Sequence, residues 1–228
     1  MAARKSGLVS VIVTAWNRRA YVLDCLRSIV RQTYPHLEII VVDDGSTDGS
    51  PQAIRAWRQS LSPDWQKRVL LIALPRNTGY AGALTAGLFA ARGQYIAVQD
   101  SDDKSAPQRL EKQVRFLRQH PEVGLVGSDY RVFAGKVIET QKPTWLRYGW
   151  KSIRQCYAEG GHCVSLGTAL FRASIFDKQG GLTRRVSGAE DYEFIARMIN
   201  GGMRIDNLNE VLYYIRKHPT QRSKRFYK

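Results

Sequence analysis

Tyr95-Ile96-Ala97-Val98 is a short run of β-forming apolar residues that leads into three closely spaced carboxylates, Asp100, Asp102 and Asp103. Such a run reads as a buried strand. Open α/β sheets bind their ligands outside the carboxyl ends of their strands, so an acidic strand end constrains both fold and function. Crowded negative charges repel one another unless a cation or hydrogen-bond donors offset them, and hard divalent cations take oxygen ligands. A metal–diphosphate site is one reading of this stretch. The other is an acidic turn capping the next helix, because Asp is a good N-cap residue. These residues alone leave both open.

A second strand ends the same way. Leu37-Glu38-Ile39-Ile40-Val41-Val42 is almost unbroken in its apolar character, as parallel sheets covered on both faces require, and it ends in Asp43-Asp44-Gly45-Ser46-Thr47-Asp48-Gly49. That ending is also a strong turn sequence. Ser50-Pro51 is expected to open a helix, with the Ser as cap and the Pro at the first helical position. Two acidic ends at one edge of a parallel sheet converge on a common crevice, which turns are not required to do.

The remaining pattern supplies that sheet. Val9-Ser10-Val11-Ile12-Val13 reads as a strand, followed by an amphipathic helix over 19–32. A strand over 69–74, a helix over 79–92 rich in Ala and Gly, a helix over 106–120 and a strand over 123–127 complete the regular part. Strands alternating with helices mean βαβ units and a mostly parallel sheet. Beyond Asp129 the pattern loosens. Trp145, Tyr148 and Trp150 mix with Lys142, Arg147, Lys151 and Arg154, then come a strand over 165–171 and a helix over 190–200 stopped by Gly201-Gly202. Two short strands, near Ile205 and over 211–215, close the pattern. The chain therefore reads as one domain over 1–228, with a nucleotide-binding half over about 8–129 and an acceptor-facing half over about 130–228.

A length of 228 residues with 43% hydrophobic content suits one large soluble domain. No apolar run approaches the roughly 18 residues that a membrane-spanning helix needs, and the first strand follows residues 1–7 with no signal-peptide apolar region. Cys25, Cys156 and Cys163 have no paired spacing, which argues for a reducing compartment, so a cytoplasmic location is expected. The net charge of +15 predicts attraction to polyanions. No nucleic-acid module signature is present, so nucleic acid is not an expected partner. An anionic substrate, or peripheral contact with an anionic membrane surface, takes its place. Dinucleotide-binding G-x-G-x-x-G, the P-loop, paired metal-spaced His and the G-x-S-x-G elbow are all missing from the sequence.

Five segments occur in a telling order: residues 9–17, Val41-Val42-Asp43-Asp44-Gly45-Ser46-Thr47-Asp48-Gly49-Ser50, Arg76-Asn77-Thr78-Gly79, Asp100-Ser101-Asp102-Asp103 and Glu190-Asp191-Tyr192. Together they resemble the inverting family-2 glycosyltransferases with a GT-A fold, over residues 8–218. The resemblance implies an α/β, Rossmann-like fold: a mostly parallel central sheet with helices on both faces and a smaller mixed acceptor-side extension. It implies transfer of a sugar from a nucleotide-diphospho-sugar, UDP-linked in the usual case, to a hydroxyl of a glycan or lipid-linked acceptor, with Mn²⁺ or Mg²⁺ as cofactor. Thr14, Ala15 and Asn17 would line the nucleoside pocket, and Asp44 would accept a hydrogen bond from the base with Asp43 beside it. Arg76, Asn77 and Gly79 would belong to the same donor site. Asp100 would approach the ribose, with Ser101 next to it, while Asp102 would bind the metal and Asp103 support it. Asp191 would be the general base that deprotonates the acceptor hydroxyl, as in-line attack opposite a leaving diphosphate requires.

The chain also departs from the family pattern. Many relatives carry an Arg-Asn pair in the helix after Asn77-x-Gly79, whereas Leu84-Thr85 stands here, leaving Arg76, Arg184 and Arg185 as candidates for the diphosphate contact. The Tyr-Arg-x-His stretch of relatives is one residue longer here, Tyr214-Ile215-Arg216-Lys217-His218, with His218 as a candidate metal or phosphate neighbour. His162 and residues 145–154 lie where relatives recognise the acceptor. A Trp face there can stack on a sugar, although packing is the commoner role, and interleaved Trp and Lys/Arg also suit an interfacial helix. Two other classes compete. A sugar nucleotidyltransferase needs a Gly-rich basic loop after the first strand, and residues 14–19 contain no glycine. A catalytically inactive nucleotide-sugar-binding module would have no use for the retained Asp191.

Overall fold

A computed structural model describes residues 3–139, 141–186 and 188–221. In chain order the elements are β1 (Lys5–Ala15), α1 (Val22–Val30), β2 (Leu37–Asp43), α2 (Ser50–Gln59), α3 (Pro63–Arg68) and β3 (Val69–Ala73). Next come α4 (Tyr80–Ala90), β4 (Gly93–Asp100), β5 (Lys104–Ser105), α5 (Arg109–Gln119), β6 (Val123–Ala134), β7 (Val137–Ile138) and α6 (Trp150–Ala158). A 3₁₀ turn (Leu166–Thr168), β8 (Leu170–Arg172), α7 (Ala173–Gln179), α8 (Glu190–Asn200) and β9 (Arg204–Arg216) follow.

One sheet takes in these strands in the order β3-β2-β1-β4-β8-β6-β9-β5, with β7 paired to β6. The first four are mutually parallel, as their apolar runs require. β8 is antiparallel to both β4 and β6, so β4 and β6 point the same way, and β9 runs parallel to β6. Each face carries its own core. Ile12, Ile40, Ile96 and Val98 pack with α4, α7 and α8 on one side, while Val11, Val13, Ile39 and Val41 pack with α1, α2 and α5 on the other. The small residues of α4 let it lie close to the sheet, and a Cβ on Gly87 would collide with Ile12.

Four local expectations are revised. Ser50 is not the cap of α2: Gly49 holds that position, and the Ser50 hydroxyl is bonded to the Asp48 carboxylate instead. Residues 165–171 are a 3₁₀ turn leading into the short β8, not one strand. The two short strands near the end are one, β9, which bends through register shifts opposite Ser128, Asp129 and Tyr130 where the polar run Asn207-Leu208-Asn209-Glu210 interrupts its pattern. β6 extends well past Gly127 because β9 pairs with it as far as Phe133.

Candidate active site

β1 lies between the two acidic strands. Ala15 is in register with Asp43 and Thr14 with Asp100, so the two acidic ends stand about 10 Å apart on either side of Thr14 and Ala15. The chain then turns at Asn17, whose left-handed backbone (φ 53°) suits an Asn. Asn17 donates its N–H to Ser46 Oγ (2.8 Å), and its Oδ1 accepts from Thr47 N–H (2.8 Å).

The two adjacent acids of β2 have different surroundings. Asp44 accepts from Thr78 N–H (2.7 Å) and Thr78 Oγ1 (2.7 Å) on one oxygen and from Gly79 N–H (2.9 Å) on the other. Its carboxylate therefore anchors Thr78 and Gly79. Gly45 permits that approach, since at φ 71° an added Cβ would lie 2.6 Å from the Arg76 carbonyl carbon. Asp43 is buried, and one oxygen accepts from Ser46 N–H (3.1 Å). Its Oδ1 has no hydrogen-bond partner among the described residues. A carboxylate only accepts, so what this oxygen lacks is an N–H or O–H donor. Arg76 and Asn77 are exposed, whereas the Arg184 guanidinium lies against Gly82 in the first turn of α4.

At the end of β4 the acids are held by β9 and the residues after it. Tyr213 is fully buried, and its hydroxyl oxygen accepts from Asp100 N–H (3.0 Å) and Gln99 Nε2 (3.1 Å) while bonding to Asp103. Asp103 also accepts from Arg216 N–H (2.8 Å), and burial together with the Asp102 and Asp100 charges pushes its pKa well up. Ser101 is buried between them. Asp102 faces two cationic or donor groups: Arg18 Nε at 3.0 Å and His218 Nε2 at 2.9 Å. None of these acids caps α5, which starts at Arg109 after β5. The capping reading of the acidic stretch therefore fails.

Sequence patterning did not single out Arg18, Tyr213 or Arg109. Arg109 is completely buried at the start of α5 and donates to the carbonyls of Val98 (2.9 Å), Gly167 (3.2 Å) and Ala169 (3.1 Å), to Gln99 Oε1 (3.1 Å) and to Ser105 Oγ (3.0 Å). Burial lowers its pKa to about 10, so the guanidinium stays charged at neutral pH. It fastens the end of β4 to the turn before β8. A basic residue near a helix start carries no signal of burial; the apolar alternation over 211–215 at least marks Tyr213 as sheet-borne.

Asp191 lies in the first turn of α8, and its side chain is 32% exposed. His162 Nε2 stands 3.5 Å from Oδ2, and the ring's Nδ1 pairs with the Tyr157 hydroxyl at 2.8 Å. Trp145 stacks on His162 (centroids 5.4 Å apart), and Tyr157 stacks on Tyr192 (5.4 Å). Burial works to raise the Asp191 pKa, but His162 and the Tyr192 N–H (2.8 Å) outweigh it, and the net shift is downward. The carboxylate is thus ionised and oriented. Among the described residues, no group of three or more His, Cys, Asp and Glu could by itself enclose a metal ion.

The family model described as "Glycosyl transferase family 2" matches residues 10–180, a span that includes both acidic strand ends and stops short of Asp191 and His218. EpsE of Bacillus subtilis, named for a glycosyltransferase, is 32% identical over 217 residues, covering 92% of this chain and 73% of EpsE. Among solved structures, Staphylococcus aureus TarS (residues 1–349) in complex with UDP-GlcNAc shares the fold at a TM-score of 0.75 and 22% identity, covering 95% of this chain and 60% of that one. The mannosyltransferase PcManGT from Pyrobaculum calidifontis, in complex with GDP-Man and Mn²⁺, matches at a TM-score of 0.71 and 25% identity, over 96% of this chain and 59% of that one. The chain thus spans about three-fifths of each of those two solved chains.

Proposed function

The chain belongs to glycosyl transferase family 2, and from that premise we propose that it transfers a sugar, with inversion, from a nucleotide-diphospho-sugar to a hydroxyl of a glycan or lipid-linked acceptor. One observation carries the donor half. On one side of Thr14 and Ala15 a buried Asp43 oxygen lacks a partner among the described residues, and on the other Asp102 stands at the strand end between Arg18 and His218.

Thr14, Ala15 and Asn17 frame the nucleoside. Asp43 Oδ1 takes the N–H of the base, which suits the imide of uracil and equally the N1–H of guanine. Asp44 acts at one remove, by holding Thr78 and Gly79, which follow Arg76 and Asn77 in the chain. Asp100 faces the ribose, with Ser101 buried beside it. Mn²⁺ and Mg²⁺ are commonly held by one or two carboxylates with substrate phosphates completing the shell. Asp102, with His218 beside it and Asp103 behind it, fits that arrangement without a three-residue protein cluster. Bound there, the cation would offset charge on the departing diphosphate. Arg18 and Arg184 are the guanidiniums best disposed to share in that, since bidentate N–H donors match phosphate oxygens. Across the site, Asp191 takes the acceptor proton as the acceptor oxygen bonds to the anomeric carbon and the bond from that carbon to the diphosphate breaks, its electron pair leaving with the diphosphate.

The test is a thermal-shift panel of UDP-, GDP-, CDP- and ADP-sugars with and without Mn²⁺, since a ligand that binds the folded state raises its melting temperature. Stabilisation by a UDP- or GDP-sugar that grows with Mn²⁺ is the expected result. A protein indifferent to the whole panel overturns the proposal.

A further inference from the structure

β6 and β7 form a hairpin at the same edge of the sheet as the acidic strand ends. Phe133 pairs with Ile138 and Ala134 with Val137, around a turn at Gly135 and Lys136. The base of the hairpin is fixed. Phe133 is buried under the cations of Arg216 (4.6 Å) and Lys104 (5.3 Å), and its carbonyl accepts from Lys217 N–H (2.8 Å). The tip is the opposite: Val137 and Ile138 are 70% and 53% exposed on a strand two residues long. A protruding apolar edge of this kind invites association and calls for a cover.

Its surroundings define that cover. Residues 131–154 hold six basic residues, Arg131, Lys136, Lys142, Arg147, Lys151 and Arg154, against one acid, Glu139. Trp145 and Tyr148 are also partly exposed there (36% each). The segment is tied to the hairpin strand, because Trp145 Nε1–H donates to the hydroxyl of Tyr130 (2.8 Å), about 10 Å along β6 from Phe133. Lys151 and Arg154 lie on the solvent side of α6, whose Ile153 and Tyr157 are buried. An apolar tip beside amphipathic aromatics and a basic field has the chemistry of a lipid–water interface. A second copy does not fit, since a symmetric contact would set two such basic surfaces face to face.

We propose that the Val137–Ile138 hairpin tip and the basic surface behind it dock on an anionic lipid bilayer, with the tip inserted among the acyl chains and the cations at the headgroups. The docking requires no donor or acceptor sugar, so it stands or falls apart from the transfer reaction. Sedimentation with phosphatidylcholine vesicles, with and without phosphatidylglycerol, tests it. The expected result is binding to the phosphatidylglycerol vesicles alone, weakened by salt, and reduced about tenfold in a Val137→Asp/Ile138→Asp variant whose melting temperature and nucleotide-sugar binding match the parent. Failure to bind anionic vesicles overturns the proposal. Binding that the double variant retains in full overturns insertion of the hairpin and leaves diffuse adsorption. A dimer that the double variant dissolves assigns the tip to a second copy and also overturns it.

Discussion

His218 Nε2 lies 2.9 Å from the Asp102 carboxylate, although 116 residues separate the two in sequence. β9 brings them together by carrying the chain back to the edge where β4 ends, with Tyr213 bonded to the Asp100 N–H and Arg216 N–H to Asp103. Asp102 is thereby presented beside an imidazole, with Asp100 and Asp103 close enough to share their charge with it.

If Asp102 and His218 jointly hold the cation, His218→Ala should raise the Mn²⁺ concentration for half-maximal donor hydrolysis by about tenfold, within the range seen when a metal site loses a supporting group. Asp102→Asn should remove Mn²⁺ activation altogether. Hydrolysis by Asp102→Asn that still responds to Mn²⁺ at the parent's concentrations would show that the cation sits elsewhere.

The Arg109 side chain makes six hydrogen bonds from a fully buried position, the sixth from Nε to Gln113 Oε1 (3.2 Å). Arg109→Leu leaves three carbonyls without a charged donor and should cost roughly 3–5 kcal/mol, read by chemical denaturation. Arg109→Lys should recover only part of this, because a point ammonium cannot span the carbonyls of Val98, Gly167 and Ala169 as a planar fork does. A loss below about 1 kcal/mol for the Leu variant, the level of an ordinary surface change, would mean that the turn before β8 holds without it.

Asp44→Ala removes the acceptor of three hydrogen bonds from Thr78 and Gly79. The expected cost is about 2 kcal/mol, the scale for hydrogen bonds to a charged group, together with weaker nucleotide binding as Thr78 and Gly79 lose their anchor. Asp43→Asn should show the opposite balance, with little change in stability and a larger loss of affinity, because its Oδ1 has no partner within the described protein. Calorimetric UDP titration of both variants checks the contrast. Equal behaviour would remove the distinction between anchor and base reader.

How far residues alone revealed this arrangement depended on the range of the forces involved. The strands ending in Asp43 and Asp100 were legible because apolar runs and strand-end acids are local signals, and the Gly-Ala composition of α4 carried its close packing. Which member of the Asp43–Asp44 pair keeps an oxygen without a partner among the described residues was not legible: that turns on the hydrogen bonds of Thr78 and Gly79, more than thirty residues away. Burial of Arg109 and the placing of Arg18 on Asp102 depend likewise on distant carbonyls and carboxylates. The bend in β9 looked like a break between two strands, because a register shift and a loop both interrupt an alternating pattern.

The pH dependence of transfer should report Asp191. Burial raises its pKa, His162 and the Tyr192 N–H lower it by more, and the folded value lies below the ordinary 3.8. A depressed carboxylate keeps both its base function and its contribution to stability above that ordinary value, and loses them as pH falls through the folded one. Transfer should therefore hold its rate into mildly acidic solution on this account. His162→Ala removes the lowering contributions of the imidazole and leaves burial in place, so the acid limb of kcat/KM should move upward, with nucleotide affinity unchanged. Tyr157→Phe should move it less, because the Tyr157 hydroxyl touches His162 Nδ1 and reaches the carboxylate only through that ring. Asp191→Asn should abolish transfer at every pH while UDP still binds. An acid limb that stays put in His162→Ala, or transfer that survives in Asp191→Asn, would assign the base to another residue.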